Sequence, residues 1–263
     1  MSTTTEEAAN IAGWYGKLPC LGDFASRRLD PEFITPWDAW LQRSIATSRQ
    51  QLGERWLDIY LTSPMWRFIL APGVCGERAA VGVLLPSVDK VGRYFPLTLA
   101  MPVEKHVADI VHLLALQDWF GGLERIGLAA LNVDFSANDL EAALAQHPFA
   151  AMDAPYTPPG TRNMIECLRD PQPQAQSFHL SSAENLAAAA GSAARLFVMS
   201  AVTGKSCWWS IDQESGAAEF HYSAGLPPDD YFTVLLGGSR VEAAGGDALP
   251  VDPLQAFDAA AAK

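Results

Sequence analysis

Charge is scarce in this sequence. Of 263 residues only 18% are charged and 49% are hydrophobic, the composition of a chain that buries a core rather than one that stays disordered. Basic residues are scarcer still: 18 Lys and Arg stand against 30 Asp and Glu, a net charge of −12. A general binder of nucleic acid or of an anionic membrane needs a basic face, so the composition argues against both partners. Cysteine is sparse as well. Cys20, Cys75, Cys167 and Cys207 form no C-x-x-C pair, and widely spaced cysteines in a long chain read as reduced thiols of the cytoplasm. The opening MSTTTEEAAN has neither a basic nor an apolar signal region. No apolar run reaches the roughly 18 residues of a membrane span; the best stretch, 107–131, is broken by Asp109, His112, Asp118 and Glu124. Direct membrane insertion is therefore not expected.

The usual marks of catalysis are missing too. The five histidines, His106, His112, His147, His179 and His221, include no i, i+4 pair and no H-E-x-x-H. His106 and His112 would lie about 240° apart around a helix, on different faces. There is no G-x-S-x-G elbow, and neither phosphate-loop pattern occurs, although GKLPCLGDF carries two glycines and Lys17. Cys20, after Pro19 in a turn, reads first as a structural thiol. No metal, no cofactor and no catalytic residue is expected.

What remains is rich in aromatic and branched residues. AGWYGKL (12–18) reads as a short strand. Asp30-Pro31 opens a helix, with Phe33, Trp37, Trp40, Leu41 and Ile45 on one face. A short helix follows over 53–61. MWRFILA (65–71), AAVGVLLP (79–86) and YFPLTLAMPV (94–103) predict an antiparallel meander, and the unbroken VGVLL predicts a strand covered on both faces. Residues 106–130 predict a helix, continuous or broken at Gly121-Gly122, and 137–146 another, capped by Ser136 or Asn138. After a proline-rich connection, 181–190 predict a helix and RLFVMSAV (195–202) with SCWWSID (206–212) a hairpin across TGK. EFHYSAG (219–225) predicts a third strand and 227–236 a last helix. Clustered helices and strands, without strict βαβ alternation, give an α+β fold around a largely antiparallel sheet. The expected organisation is a disordered leader (1–11), an N-terminal α+β domain (12–147), a connection (148–178), a smaller α+β half (179–240) and a flexible tail (241–263).

Charge is unevenly spread. Residues 11–100 carry ten cations against eight anions, while 101–263 carry eight against twenty. Such asymmetry is one mark of a partner surface. The turn PSVDKVGR (86–93) is crowded for a minimal hairpin. Gly92 can take a positive φ, and Ser87, Lys90 and Arg93, with Lys17 from the other loop, could bind an anion. In the alternative, Asp89 caps the turn and pairs with a cation. An ion pair from Asp23 to Arg93 or Arg67 would join the two loops.

These residues also carry a resemblance. GWYGKLPCLGDFASRRL (13–29), WDAWL (37–41), SPMWRFILAPGVCG (63–76) and GVLLPSVDKVGRYFPLTLA (82–100) resemble, in order and spacing, the N-terminal region of the TagF family of bacterial type VI secretion systems. The likeness covers roughly residues 12–145. It implies a non-enzymatic, post-translational regulator, typically a repressor, that binds a cytoplasmic protein, with the forkhead-associated scaffold of the system as prime candidate. It implies no catalytic residues. Some relatives carry a fused phosphatase, but this chain lacks the acidic metal-binding signature of one. The family motif falls on Lys17, Asp23, Trp66, Arg67, Ser87 and Asp89, and on Arg93. With Lys90 these are the candidate partner-binding residues. Cys20 stands where a small polar residue is often seen. The other reading of the same residues is a small-anion or nucleotide sensor, or an enzyme, with a cationic loop pocket.

Overall fold

The computed structural model describes residues 10–103, 110–149, 185–212 and 214–237. Most of the expected leader, most of the connection and the tail lie outside these, as do Cys167, His106 and His179. Seven antiparallel strands form one sheet: β1 (Gly13–Gly16), β2 (Ala25–Arg27), β3 (Trp66–Leu70), β4 (Ala79–Leu85), β5 (Leu97–Val103), β6 (Lys205–Ile211) and β7 (Ala218–Ala224). Their order is β2-β1-β5-β4-β3-β6-β7. The α+β reading holds, and the meander β3-β4-β5 is where the sequence placed it. The sheet is continuous from the N-terminal region into the C-terminal one, because Arg67–Leu70 of β3 pair with Ser206–Trp209 of β6.

Two helical layers cover the sheet, and strand alternation decides which side chain meets which layer. Facing one way are Phe68, Leu70, Leu84, Ala100 and Trp208. They meet α1 (Pro31–Leu52), α2 (Trp56–Leu61) and α7 (Phe232–Gly237). Facing the other way are Ile69, Val81, Val83, Leu97, Leu99 and Trp209. They meet α3 (Ile110–Ala115), α4 (Gln117–Ala130) and α5 (Ala137–Ala145). All seven residues of β4 are buried, which explains why VGVLL shows no alternation in polarity.

The first layer is aromatic. Trp37 stacks on Trp208, with centroids 5.8 Å apart and planes at 6°, and lies 4.9 Å from Phe68 and 5.1 Å from Trp40. Its indole N–H donates to Thr98 Oγ1 at 2.9 Å, so the buried ring keeps its polar atom satisfied. This cluster needs Gly82 beneath it. A Cβ there would lie 2.1 Å from the Leu99 carbonyl and 2.9 Å from Phe68 Cζ. Gly82→Ala is therefore expected to cost about 1–3 kcal/mol through overpacking, measured by urea denaturation; a stability equal to wild type would show that the β4–β5 pair yields without cost.

Three expectations are corrected. RLFVMSAV is not a strand but the end of α6 (Asn185–Val202), and β6 forms its hairpin with β7 instead. The alanines at 187–190 and 193–194 start a helix that the branched residues simply continue. Helix 106–130 breaks at Leu116, not at Gly121-Gly122, which lie inside α4. Gly122 serves contact rather than breakage: a Cβ there would sit 2.0 Å from His147 Nε2. The strand β2, over residues that the sequence reading assigned to no element, pairs with β1. The capping of α5 is by Ser136, in a reciprocal box with Asp139.

Candidate functional site

Because β1 pairs with β5, the loop leaving β1 (17–24) and the loop entering β5 (86–96) run side by side. The backbones approach closely: Gly16 has φ 135°, and a Cβ there would fall 2.2 Å from the Pro96 carbonyl. In the second loop Val88 bridges Tyr94, and the Gly92 N–H donates to the Asp89 carbonyl at 2.9 Å. Gly92 takes φ 84°, the left-handed conformation the turn needs. Three hydrogen bonds join the loops. The Lys90 N–H donates to the Leu21 carbonyl at 2.8 Å, Ser87 Oγ to the Lys17 carbonyl at 2.7 Å and Arg93 Nη2 to the Gly22 carbonyl at 2.5 Å.

Asp89 is the hub. Its side chain is fully buried. Oδ1 accepts from the backbone N–H groups of Val91 (3.0 Å) and Arg93 (2.9 Å). Oδ2 accepts from Arg93 Nε at 2.7 Å and faces Lys17 Nζ at 3.0 Å. Burial pushes this carboxyl up, but the Arg93 N–H, the Lys17 ammonium, the Arg93 guanidinium and the Val91 N–H together outweigh it. They hold the group well below the ordinary carboxylate range. Lys17 is buried with it, and its ammonium also lies 4.8 Å from the centre of the Phe24 ring. Beneath the loop, Tyr60 of α2 brackets Ser87: its hydroxyl donates to the Ser87 carbonyl at 2.9 Å and accepts from the Ser87 N–H at 3.0 Å. Burial pushes the Tyr60 phenol up, so it keeps the proton it donates.

The eight candidate residues thus do not form one cluster. Lys17, Ser87, Asp89 and Arg93 come together. Asp23 stands at the rim, 86% exposed, with Oδ1 3.9 Å from Arg93 Nη2 and accepting from the Phe24 N–H at 2.9 Å. Lys90 projects outward. Arg67, considered as a partner for Asp23, lies elsewhere. It faces the α4 layer, where Nε and Nη2 each donate to one oxygen of Glu124 at 2.7 Å and Nη1 donates to Gln117 Oε1 at 2.5 Å. Trp66, one residue earlier, faces the opposite layer; its indole donates to the Leu235 carbonyl at 2.6 Å and its ring meets His221 edge-on.

The sequence reading missed Tyr60, Gln117 and the role of Glu124. The signal for Glu124 was its presence in an otherwise apolar helical stretch. A second unanticipated pair is Glu141 of α5, which accepts from the Trp14 indole at 2.5 Å and from Arg28. The anion pocket envisaged from Lys17, Ser87, Lys90 and Arg93 does not form as an open cradle: Lys17 and Ser87 are buried and bonded inward, and Arg93 already holds a carboxylate. The described cysteines are free. Cys75 is buried, with its thiol pushed up to about 12 by that burial, and Cys20 packs half-buried against the α4-side core. Among the described residues no group of His, Cys, Asp and Glu is arranged to hold a metal ion, and no helix is long and apolar enough to cross a membrane.

The fold is thus an antiparallel sheet between two helical layers, with two of its loops locked together by a buried carboxylate. The chain belongs to the TagF family: the family model described as "TagF N-terminal domain, Type VI secretion system-associated" matches residues 13–147. The fold is similar to the crystal structure of PA0076 from Pseudomonas aeruginosa PAO1, with a TM-score of 0.69 and 35% identity over 92% of this chain and 98% of that one. No curated protein matched in sequence.

Proposed function

We propose that this protein is a non-enzymatic, post-translational repressor of a type VI secretion system that acts in the cytoplasm by binding a component of the apparatus, the forkhead-associated scaffold first among them. Membership of the TagF family is the observation that carries the reading. The site chemistry supports it. Every charged group buried in the two loops is committed to another group of the loops, so the network shapes a surface. The two buried cysteine thiols, held protonated, are poor nucleophiles.

The test is co-purification. Tagged protein is recovered from cells expressing the secretion machinery, and export by the system is followed as the protein is overproduced. The scaffold is expected to co-purify and export to fall as the protein accumulates. Export that does not respond to the protein level would overturn the repressor reading. As a separate check, the melting temperature is expected to stay flat across a panel of phosphate and nucleotides, because a ligand bound only by the folded state would raise it.

A further inference from the structure

The joined loops end in an exposed tip that carries both apolar and charged side chains. Phe24, the last residue of the first loop, is 44% exposed, and Val91, at the turn of the second, is 67% exposed. Val91, at that exposure, contributes little to the core. Phe24 is nonetheless held in place: its ring packs on Phe95 at 4.7 Å and stacks on Tyr15 at 6.1 Å. Around this pair stand the exposed Lys90 and the half-exposed Arg93, with Asp23 as the exposed acid. Lys17 and Asp89 beneath neutralise each other. The tip is therefore slightly positive on a chain whose net charge is −12. Its backbone is fixed by the bonds to Leu21 and Gly22 and by the turn around Asp89, so little ordering cost remains for binding.

We infer that this tip docks an acidic segment of a protein partner, with Phe24 and Val91 as apolar anchors and Lys90 and Arg93 as the charged rim. Anchors within a polar rim are the usual anatomy of a protein interface, and the sign of the rim selects an acidic partner over a basic one. The inference rests on the reading above that the chain works by binding a component of the secretion apparatus. A second exposed aromatic pair, Phe220 and Tyr222 on β7, lies at the opposite edge of the sheet. Its register partners are Trp209 and Cys207 of β6, and it serves as the comparison in position.

The experiment titrates the purified forkhead-associated scaffold against wild type, Val91→Asp, Lys90→Glu and Tyr222→Asp, at low and high salt. Circular dichroism and melting temperature first establish that each variant is folded; Val91 and Lys90 make no buried side-chain contact that folding needs. Val91→Asp and Lys90→Glu are expected to weaken binding by about tenfold or more, and Tyr222→Asp to leave it unchanged. Wild-type affinity is expected to fall with salt, and less steeply in Lys90→Glu. Binding by wild type that Val91→Asp and Lys90→Glu both leave intact would overturn the docking surface while the regulatory reading stands. So would a loss confined to Tyr222→Asp, which would move the interface to β7. Failure of wild type to bind the scaffold would overturn the choice of partner and the docking surface resting on it.

Discussion

Glu124→Ala is expected to lower the free energy of unfolding by about 3–5 kcal/mol, the cost of leaving one member of a buried ion pair alone. The side chains of Arg67 and Glu124 are 5% and 8% exposed, and their contact is bidentate, with both donor distances at 2.7 Å. A guanidinium cannot shed its proton to escape the apolar layer. Without Glu124 it keeps only the Gln117 amide oxygen and the ring of Phe120, whose centre its guanidinium overlies at 5.9 Å. Glu124→Gln retains one acceptor and should lose less. The double change Arg67→Met with Glu124→Leu should recover most of the loss, because apolar residues of similar volume replace buried ion pairs at little or no cost. Urea denaturation of the four proteins measures these differences. A loss below about 1 kcal/mol in Glu124→Ala would mean that water reaches the pair as it does a surface one.

This pair shows where the sequence was readable and where it was not. Strand β3 was legible as WRFIL, and the alternation of its side chains follows from strand geometry. That geometry separates Trp66 from Arg67 by a whole sheet, yet a motif such as P-x-W-R-F invites reading them as one site. The layer each would face depends on the order β4-β3-β6, which no local pattern carries. The acid that answers Arg67 stands 57 residues away. It was visible only as a polar interruption of an apolar helix.

The loop network was more legible, for a physical reason. Turns need few charges, so a turn holding Asp89, Lys90 and Arg93 within five residues implies that some of them are paired. Asp89 as the cap and partner of a cation, one of the two alternatives the sequence left open, is what the fold contains. The partner from across the loops, Lys17, depends on β1 lying against β5, a contact between segments more than eighty residues apart. RLFVMSAV misled because branched and aromatic residues favour strands only where a sheet offers a place. Here the preceding alanines had already started α6, and the β6 edge was taken by β7.

Asp89→Asn is expected to reduce stability near neutral pH, and the deficit should shrink in acid. The substitution keeps the shape of the side chain but removes the charge that Lys17 and Arg93 face, leaving Lys17 buried beside an amide. Arg93 is half-exposed and can turn to water; Lys17 cannot. The pH window follows from the direction of the shift. The folded protein holds the Asp89 carboxyl well below its unfolded value, which is about 3.9. Its contribution is therefore complete above about pH 5 and is lost as pH falls through 4 and below, since the unfolded chain takes up the proton first. Asp139 and Glu141 are shifted the same way, by Ser136 and by Arg28 with Trp14 respectively, so both proteins weaken in acid. The difference between wild type and Asp89→Asn isolates Asp89. Melting temperatures from pH 7 to pH 2.5 should show a constant gap down to about pH 5 that then closes. A gap that persisted unchanged to pH 2.5 would mean that the ionised carboxylate is not what holds the loops. A loss of scaffold binding in Asp89→Asn alongside Val91→Asp would then have to come from the tip itself.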